Sequence, residues 1–173
     1  MRLFIAHTDH PGFHGIRWLS SRRLLVKWHG RSPVKHLHGS RVWLANDIGI
    51  AGEGRIERAT LLPSRRAIAS AEVRLVRPLE KTCPATTLYG GFRFRAPVWR
   101  AGKRLYTQVA DDLIGVFAVL ATALTLYSGK RRVQPPFIGL LTRAEEVGFV
   151  GAIAHFELDW REHARRPIMA ISL

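Results

Sequence analysis

The chain has 173 residues, 47% of them hydrophobic, and a formal net charge of +14 from 27 Lys and Arg against 13 Asp and Glu. That length allows one domain or two small ones, and the apolar content excludes general disorder. The single Cys83 excludes an internal disulfide framework and a multi-cysteine zinc site. The surplus of arginine favours an anionic partner, nucleic acid or an anionic membrane surface, over a neutral small molecule.

In chain order, R-L-F-I-A-H (2–7) reads as a short strand, and H-T-D-H-P-G-F-H-G breaks it with turn residues Pro11, Gly12 and Gly15. The irregular apolar positions of 16–28 predict a helix over about 16–26, with Arg17, Arg22, Arg23 and Lys27 on its wet sides. A basic, His-rich loop containing Arg31, His36 and His38 follows, then a short element at R-V-W-L-A. Gly49, Gly52 and Gly54 precede a strand R-I-E-R-A-T-L-L that carries Arg55 and Arg58. A linker spans 63–70. Residues 71–78, A-E-V-R-L-V-R-P, alternate as a strand should, and Phe92 and Phe94 alternate with Arg93 and Arg95.

Residues 113–129 are the longest uncharged run. Asp111 and Asp112 precede it and Lys130, Arg131 and Arg132 follow, which suits a helix dipole, with Gly129 placed as the C-cap. A membrane span needs about 20 apolar residues. This run is shorter and is diluted by Thr122, Thr125 and Ser128, so it reads as a core helix. Its Leu113, Phe117, Leu120, Leu124 and Tyr127 face would meet another layer, and its small face (Gly115, Ala118, Thr122, Thr125) would lie on a sheet. Leu120→Asp is then expected to unfold the domain. After the Pro135-Pro136 break, F-I-G-L-L-T-R and 145–160 read as strands, 160–166 as a short helix, and P-I-M-A-I-S-L as a closing strand.

From residue 71 the order strand, helix, strand, strand, short helix, strand is the split βαβ pattern. The expected fold is α+β, ferredoxin-like, an antiparallel sheet with helices on one face, as a degenerate tandem pair: an N-terminal half over 1–70 and a C-terminal domain over 71–173.

Four stretches together resemble the CRISPR-associated RAMP proteins, in particular the Cas-six family that cuts CRISPR repeat RNA. They are P-G-F-H-G-I-R-W-L (11–19), G-I-A-G-E-G-R-I-E-R-A-T-L (49–61), A-E-V-R-L-V-R-P-L (71–79) with the helix ending L-Y-S-G, and V-G-F-V-G-A-I-A-H-F-E-L (147–158). The chain departs from that family in having no G-x-G after Gly151, so the resemblance implies a trimmed or divergent member.

The resemblance implies metal-independent cleavage of repeat RNA to a 2′,3′-cyclic phosphate, which needs a general base and cations on the phosphorane. His29 and then His14, flanking the predicted helix, are the expected catalytic residues. Arg17, Arg22, Arg23, Lys27, Arg31, Arg55, Arg58, Lys130, Arg131 and Arg132 are the expected RNA-binding set. The alternatives are a non-catalytic RNA-binding subunit of a CRISPR ribonucleoprotein and a basic membrane-associated protein. H-T-D-H and H-L-H bring possible metal ligands together, but no Cys joins them and the spacing is no recognised ligand ladder. No metal and no cofactor is expected; the partners are CRISPR RNA and other effector subunits, without a membrane, in the cytoplasm.

Overall fold

The computed structural model describes residues 1–79, 83–128, 137–160 and 167–173. The chain divides into two compact units: Pro11–Ala96, and Met1–His10 together with Pro97–Leu173. The sequence boundary expected at 70/71 falls inside a strand of the first of these.

Residues 11–96 form a closed barrel. Its strands are β2 (Gly12–Ser20), β3 (Arg23–His29), β4 (Arg41–Asn46), β5 (Gly49–Leu61), β6 (Ile68–Leu75) and β7 (Tyr89–Phe92), in the order β2-β3-β6-β5-β4-β7 with β7 closing on β2. Every neighbouring pair is antiparallel. Closure removes the open edges that would otherwise invite association. The reason this region is strand lies in a period of two. Leu24, Val26 and Trp28 are buried while Lys27 between them is exposed, and Ile56 and Val73 continue that inner face. The predicted helix over 16–26 is therefore two strands joined at Ser21 and Arg22. Its irregular pattern came from β-bulges between Gly15 and Arg17 and between Trp18 and Ser20, which break the alternation of β2. Gly15 is required at its position: a Cβ there would lie 2.1 Å from the carbonyl oxygen of Ala85, in the 3₁₀ turn Ala85–Thr87.

The second unit is built on a parallel sheet of order β10-β1-β11, from β1 (Arg2–His7), β10 (Phe137–Thr142) and β11 (Met169–Ser172). Parallel pairing requires long crossovers, usually helical. The helix α1 (Ala110–Tyr127), which packs on β1 and β10, precedes β10, and α2 (Val150–Leu158) lies between β10 and β11. A separate hairpin pairs β8 (Val98–Ala101) with β9 (Arg104–Thr107), with Trp99 stacked on Tyr106.

The ferredoxin-like α+β architecture is thus replaced by a barrel and a parallel three-stranded sheet. The stretch 147–158, read as a strand from its glycines and apolar residues, is helix α2. Ala144, Gly148 and Phe149 take positive φ and turn the chain into it. The core reading of α1 is corrected as well. Gly115 and Val119 are buried, and Gly139 of β10 lets Val119 come close, but of the expected small face only Gly115 is buried: Ala118 is half-buried and Thr122 and Thr125 are exposed. The bulky face does not meet a second layer: Phe117 is 71% and Leu124 69% exposed, and Leu120 is more than half exposed. With mean hydropathy 1.6 and 17% of its length buried, α1 has the length and composition of a membrane span and only a narrow seated stripe. The expected C-cap Gly129, the proline pair 135–136 and the short helix over 160–166 lie wholly or largely outside the described residues.

Candidate active site

The C-terminal ends of parallel strands β1 and β10 carry the densest chemistry in the molecule, as the ends of parallel strands in α/β sheets commonly do. Main-chain and hydroxyl bonds lock the two ends together. Thr8 donates through both its N–H and its Oγ1 to the carbonyl of Thr142, each at 3.0 Å, and Thr142 Oγ1 donates to the carbonyl of Ala6 at 3.4 Å. Against this frame stand five of the chain's 13 acidic residues: Asp9, Asp111, Asp112, Glu145 and Glu146.

Two of these carboxylates are consumed by backbone donors. Asp9 accepts the N–H groups of Glu145 and Glu146, both at 3.2 Å, and so fixes the loop after β10. Asp112 accepts the N–H groups of His7 and Gly115, both at 3.1 Å, and so ties the start of α1 to the end of β1. The peptide bond between Asp111 and Asp112 is cis. Asp111 and Glu145 are left facing the imidazole of His7, which is 8% exposed. Its Nε2 lies 3.1 Å from Asp111 Oδ1 and 3.9 Å from Glu145 Oε2.

The other ring nitrogen, Nδ1, lies 2.9 Å from the backbone carbonyl oxygen of Asp9 and can only donate there. Nδ1 therefore carries a proton, and the neutral ring presents its Nε2 lone pair to carboxylate oxygens that are acceptors too. That contact needs a positive charge between the partners, either a second proton on the ring or a bound cation. The proton affinity agrees. Burial alone lowers the His7 pKa, but the bond to the Asp9 carbonyl, the Asp111 carboxylate and the charges of Glu145 and Asp9 outweigh it and raise the value above 6.5.

The donor set suits a divalent metal. A histidine whose second nitrogen donates to a backbone carbonyl is the usual form of a metal-bound imidazole. Nitrogen and oxygen ligands at about 2.1 Å in tetrahedral array stand about 3.4 Å apart. Asp111 lies inside that spacing, and Glu145 has to swing in by about half an ångström. Among the described residues no group of three or more His, Cys, Asp or Glu side chains is placed to hold a metal ion, so His7 and Asp111 make a pair of ligands and not a completed centre.

The expected site residues lie elsewhere, on the barrel. His14 of β2 and His29 of β3 do meet, with ring centroids 5.3 Å apart, and Tyr89 lies 6.3 Å from His14. Burial, then the charges of His14 and Lys27, hold the His29 pKa below its ordinary 6.5. Of the expected RNA-binding cations, Arg23, Arg55 and the neighbouring Arg41 and Arg74 stand in register across β3, β6, β5 and β4. Like charges opposed across strands repel, and glutamates interleave to relieve this. Arg23 pairs with Glu57 at 3.0 Å and with Glu72, Arg74 with Glu57, and Arg41 and Arg93 with Glu53 at 3.0 and 3.1 Å. Arg55 donates to the Gly39 carbonyl at 2.9 Å. Arg17, Lys27 and Arg58 are exposed on strands, Arg22 on the β2–β3 turn, and Arg31 follows β3. Lys130, Arg131 and Arg132 lie outside the described residues. The signal that sequence reasoning passed over was positional: H-T-D at the end of one strand, D-D at the start of a helix and E-E after another strand.

No family model matches the chain, and no curated protein matches it in sequence. Solved structures do match. An aminopeptidase from the archaeon Desulfurococcus kamchatkensis aligns over 99% of this chain with a TM-score of 0.71 at 20% identity. A TET aminopeptidase from a marine-sediment thaumarchaeon aligns over the same share with the same score and identity. The Pyrococcus horikoshii TET1 peptidase, which can assemble into a tetrahedron or a large octahedral shell, aligns at 0.71 and 19% identity. The chain covers 46%, 49% and 52% of those three chains, about half their length. The resemblance to Cas-six-like RAMP proteins is overturned by this likeness, and with it the CRISPR repeat-RNA endonuclease and RAMP-subunit readings. Glycine-plus-apolar motifs that a RAMP protein and this chain share belong here to barrel strands and to α2. At these identities the likeness is one of fold: the chain has the fold of one part of TET-type aminopeptidases.

Proposed function

We propose that the chain is a metal-dependent, aminopeptidase-type module, with His7 and Asp111 as the residues that hold a divalent cation and Glu145 beside them. The observation that carries this reading is the His7 imidazole, whose Nδ1 donates to a carbonyl while Nε2 faces the carboxylates of Asp111 and Glu145. The aminopeptidase fold of the matched structures supports it.

A cation in that position supplies Lewis-acid chemistry to a peptide carbonyl. The chain's own residues do the rest. Asp9 and Asp112 orient the loop after β10 and the start of α1 through their backbone bonds. Glu145, farther from Nε2 than Asp111 and half-buried, is placed to take a proton from an attacking water and pass it to the departing amine. A soluble, cytoplasmic setting goes with this reading.

Calorimetric titration of the chain with Zn²⁺ tests it. One equivalent is expected to bind, with loss of that binding in His7→Ala and Asp111→Asn. Metal-stimulated release of p-nitroaniline from aminoacyl anilides is expected to disappear in Glu145→Gln while Zn²⁺ still binds. A chain that takes up no metal, or takes it up equally well without His7, ends the proposal.

A further inference from the structure

Two imidazoles of the barrel take no part in the chemistry around His7. His14 of β2 lies opposite Lys27 of β3 and opposite Tyr89 of β7, and His29 of β3 lies opposite Gly12. The two histidines are therefore a diagonal pair on neighbouring antiparallel strands, within reach of each other for side chains of this size. The period of two turns both outward. Phe13 and Gly15 on either side of His14 are buried, as is Trp28 beside His29, whereas His14 is exposed and His29 half-buried. The residue opposite His29 is a glycine, so no cross-strand side chain competes for its ring.

The rings stand with centroids 5.3 Å apart and planes at 80°. A divalent cation held by one nitrogen of each ring at about 2.1 Å lies about 3.2 Å from each ring centre, and a tetrahedral angle at the cation then spaces the centres by about 5.2 Å. The strands thus already hold the rings at the spacing of a two-imidazole chelate. Planes at a steep angle suit it, provided at least one ring stands across the plane of the cation and its two nitrogens. Rotation about the side-chain bonds of the exposed His14 aims its nitrogen.

The ring nitrogens are also free to bind. Those of His7, His38 and His155 are bonded to carbonyl or carboxylate oxygens, whereas those of His14 and His29 have no hydrogen-bond partner among the described residues. Burial, then the charges of His14 and Lys27, keep the His29 ring neutral at pH 7, with a lone pair to give. Lys27 is exposed, and its long stem carries the ammonium away into water. No third His, Cys, Asp or Glu among the described residues stands with the pair. Water then fills the other positions, and the hard cations Ca²⁺ and Mg²⁺, which want oxygen ligands, are disfavoured.

We propose that His14 and His29 form a second metal site, on the outer wall of the barrel: a two-imidazole chelate for a divalent cation of the Cu²⁺, Ni²⁺ and Zn²⁺ class. It clips β2 to β3 beside the seam where β7 closes the barrel through the pairs Phe13–Gly90 and His14–Tyr89. The site is independent of the aminopeptidase reading.

The test uses Cu²⁺ held by iminodiacetate, a chelate that leaves adjacent positions open for two imidazoles. It is added to the full chain carrying His7→Ala, so that the candidate active site contributes nothing. Electron spin-echo modulation counts the imidazoles on the copper, and two are expected. His14→Ala and His29→Ala are each expected to weaken binding on the order of a hundredfold, because the second imidazole of a pair binds intramolecularly. Removing the other close pair, His36→Ala with His38→Ala, is expected to leave affinity within about twofold. If circular dichroism shows that loss of the half-buried His29 unfolds the barrel, His14→Ala at its exposed position decides alone. The proposal falls if the copper carries a single imidazole, if His14→Ala weakens binding by less than about twofold, or if the His36 and His38 variant loses as much as His14→Ala.

Discussion

The barrel and the parallel-sheet unit divide the work of stability and chemistry. The barrel buries Phe13, Leu24, Val26, Val42, Leu44, Ile56, Val73 and Leu88 almost completely and has no open strand edge. Among the described residues the other unit buries few apolar side chains (Leu3, Ala6 and Val119) and leaves Leu113, Phe117, Leu124, Ile153 and Leu158 in contact with solvent. Yet it holds eight of the 13 acids, five of them around His7. An arginine-rich surface over a filled core tolerates repulsion that interleaved glutamates relieve; the other unit holds its carboxylates on a thin sheet by backbone N–H bonds to Asp9 and Asp112 and by the contact of Asp111 with His7.

Substitutions separate the two regimes. The largest effect is expected from Trp28→Ala, which empties a site lined by Phe13 and Phe92; denaturant melts should show a loss of about 3–5 kcal/mol. Leu120→Asp, on the exposed face of α1, should change stability by less than about 0.5 kcal/mol in the same melts, contrary to the unfolding that a core helix would give. Glu57→Gln removes the bridge between Arg23 and Arg74. A loss of about 0.5–1 kcal/mol at low salt is expected, fading at 1 M salt as screening takes over. The smallest effect concerns pH. Burial and the charges of His14 and Lys27 depress the His29 pKa, so the unfolded chain takes up that proton first. The contribution is full above pH 6.5 and is lost as pH falls from 6.5 toward the lower native value. His14→Gln should reduce this drop, by about 1 °C in Tm between pH 7 and 5.

How much of this was legible depends on periodicity. Strand β1 and the strand character of 71–75 follow from alternation in the sequence, whereas 68–70, expected as linker, belong to the same strand as 71–75. The barrel was hidden because its defining pairs are non-local and its first strand, β2, is bulged, so 16–26 shows no clean period of two. Helix α2 was hidden because glycines at 148 and 151 mimic a strand bulge. In the fold Gly148 turns the chain at positive φ, and Gly151 sits where a Cβ would strike the Arg143 carbonyl. The candidate site was hidden by distance. His7 is separated from Asp111 by 104 positions, and Asp9 from the N–H groups of Glu145 and Glu146 by 136 and 137. No local motif joins them until the parallel pairing of β1 with β10 does so.

The barrel's closure bears on that distance. Because β7 pairs back onto β2, the strand enters and leaves the barrel side by side: a Cβ on Gly91 would lie 3.6 Å from the carbonyl oxygen of Pro11. For the chain that must bring His7 to Asp111, a folded barrel is therefore a short circuit. It removes roughly eighty residues from the loop to be closed and lowers the closure entropy by about 1 kcal/mol. A substitution that opens the barrel is thus expected to weaken the contact of His7 with Asp111 without touching either residue.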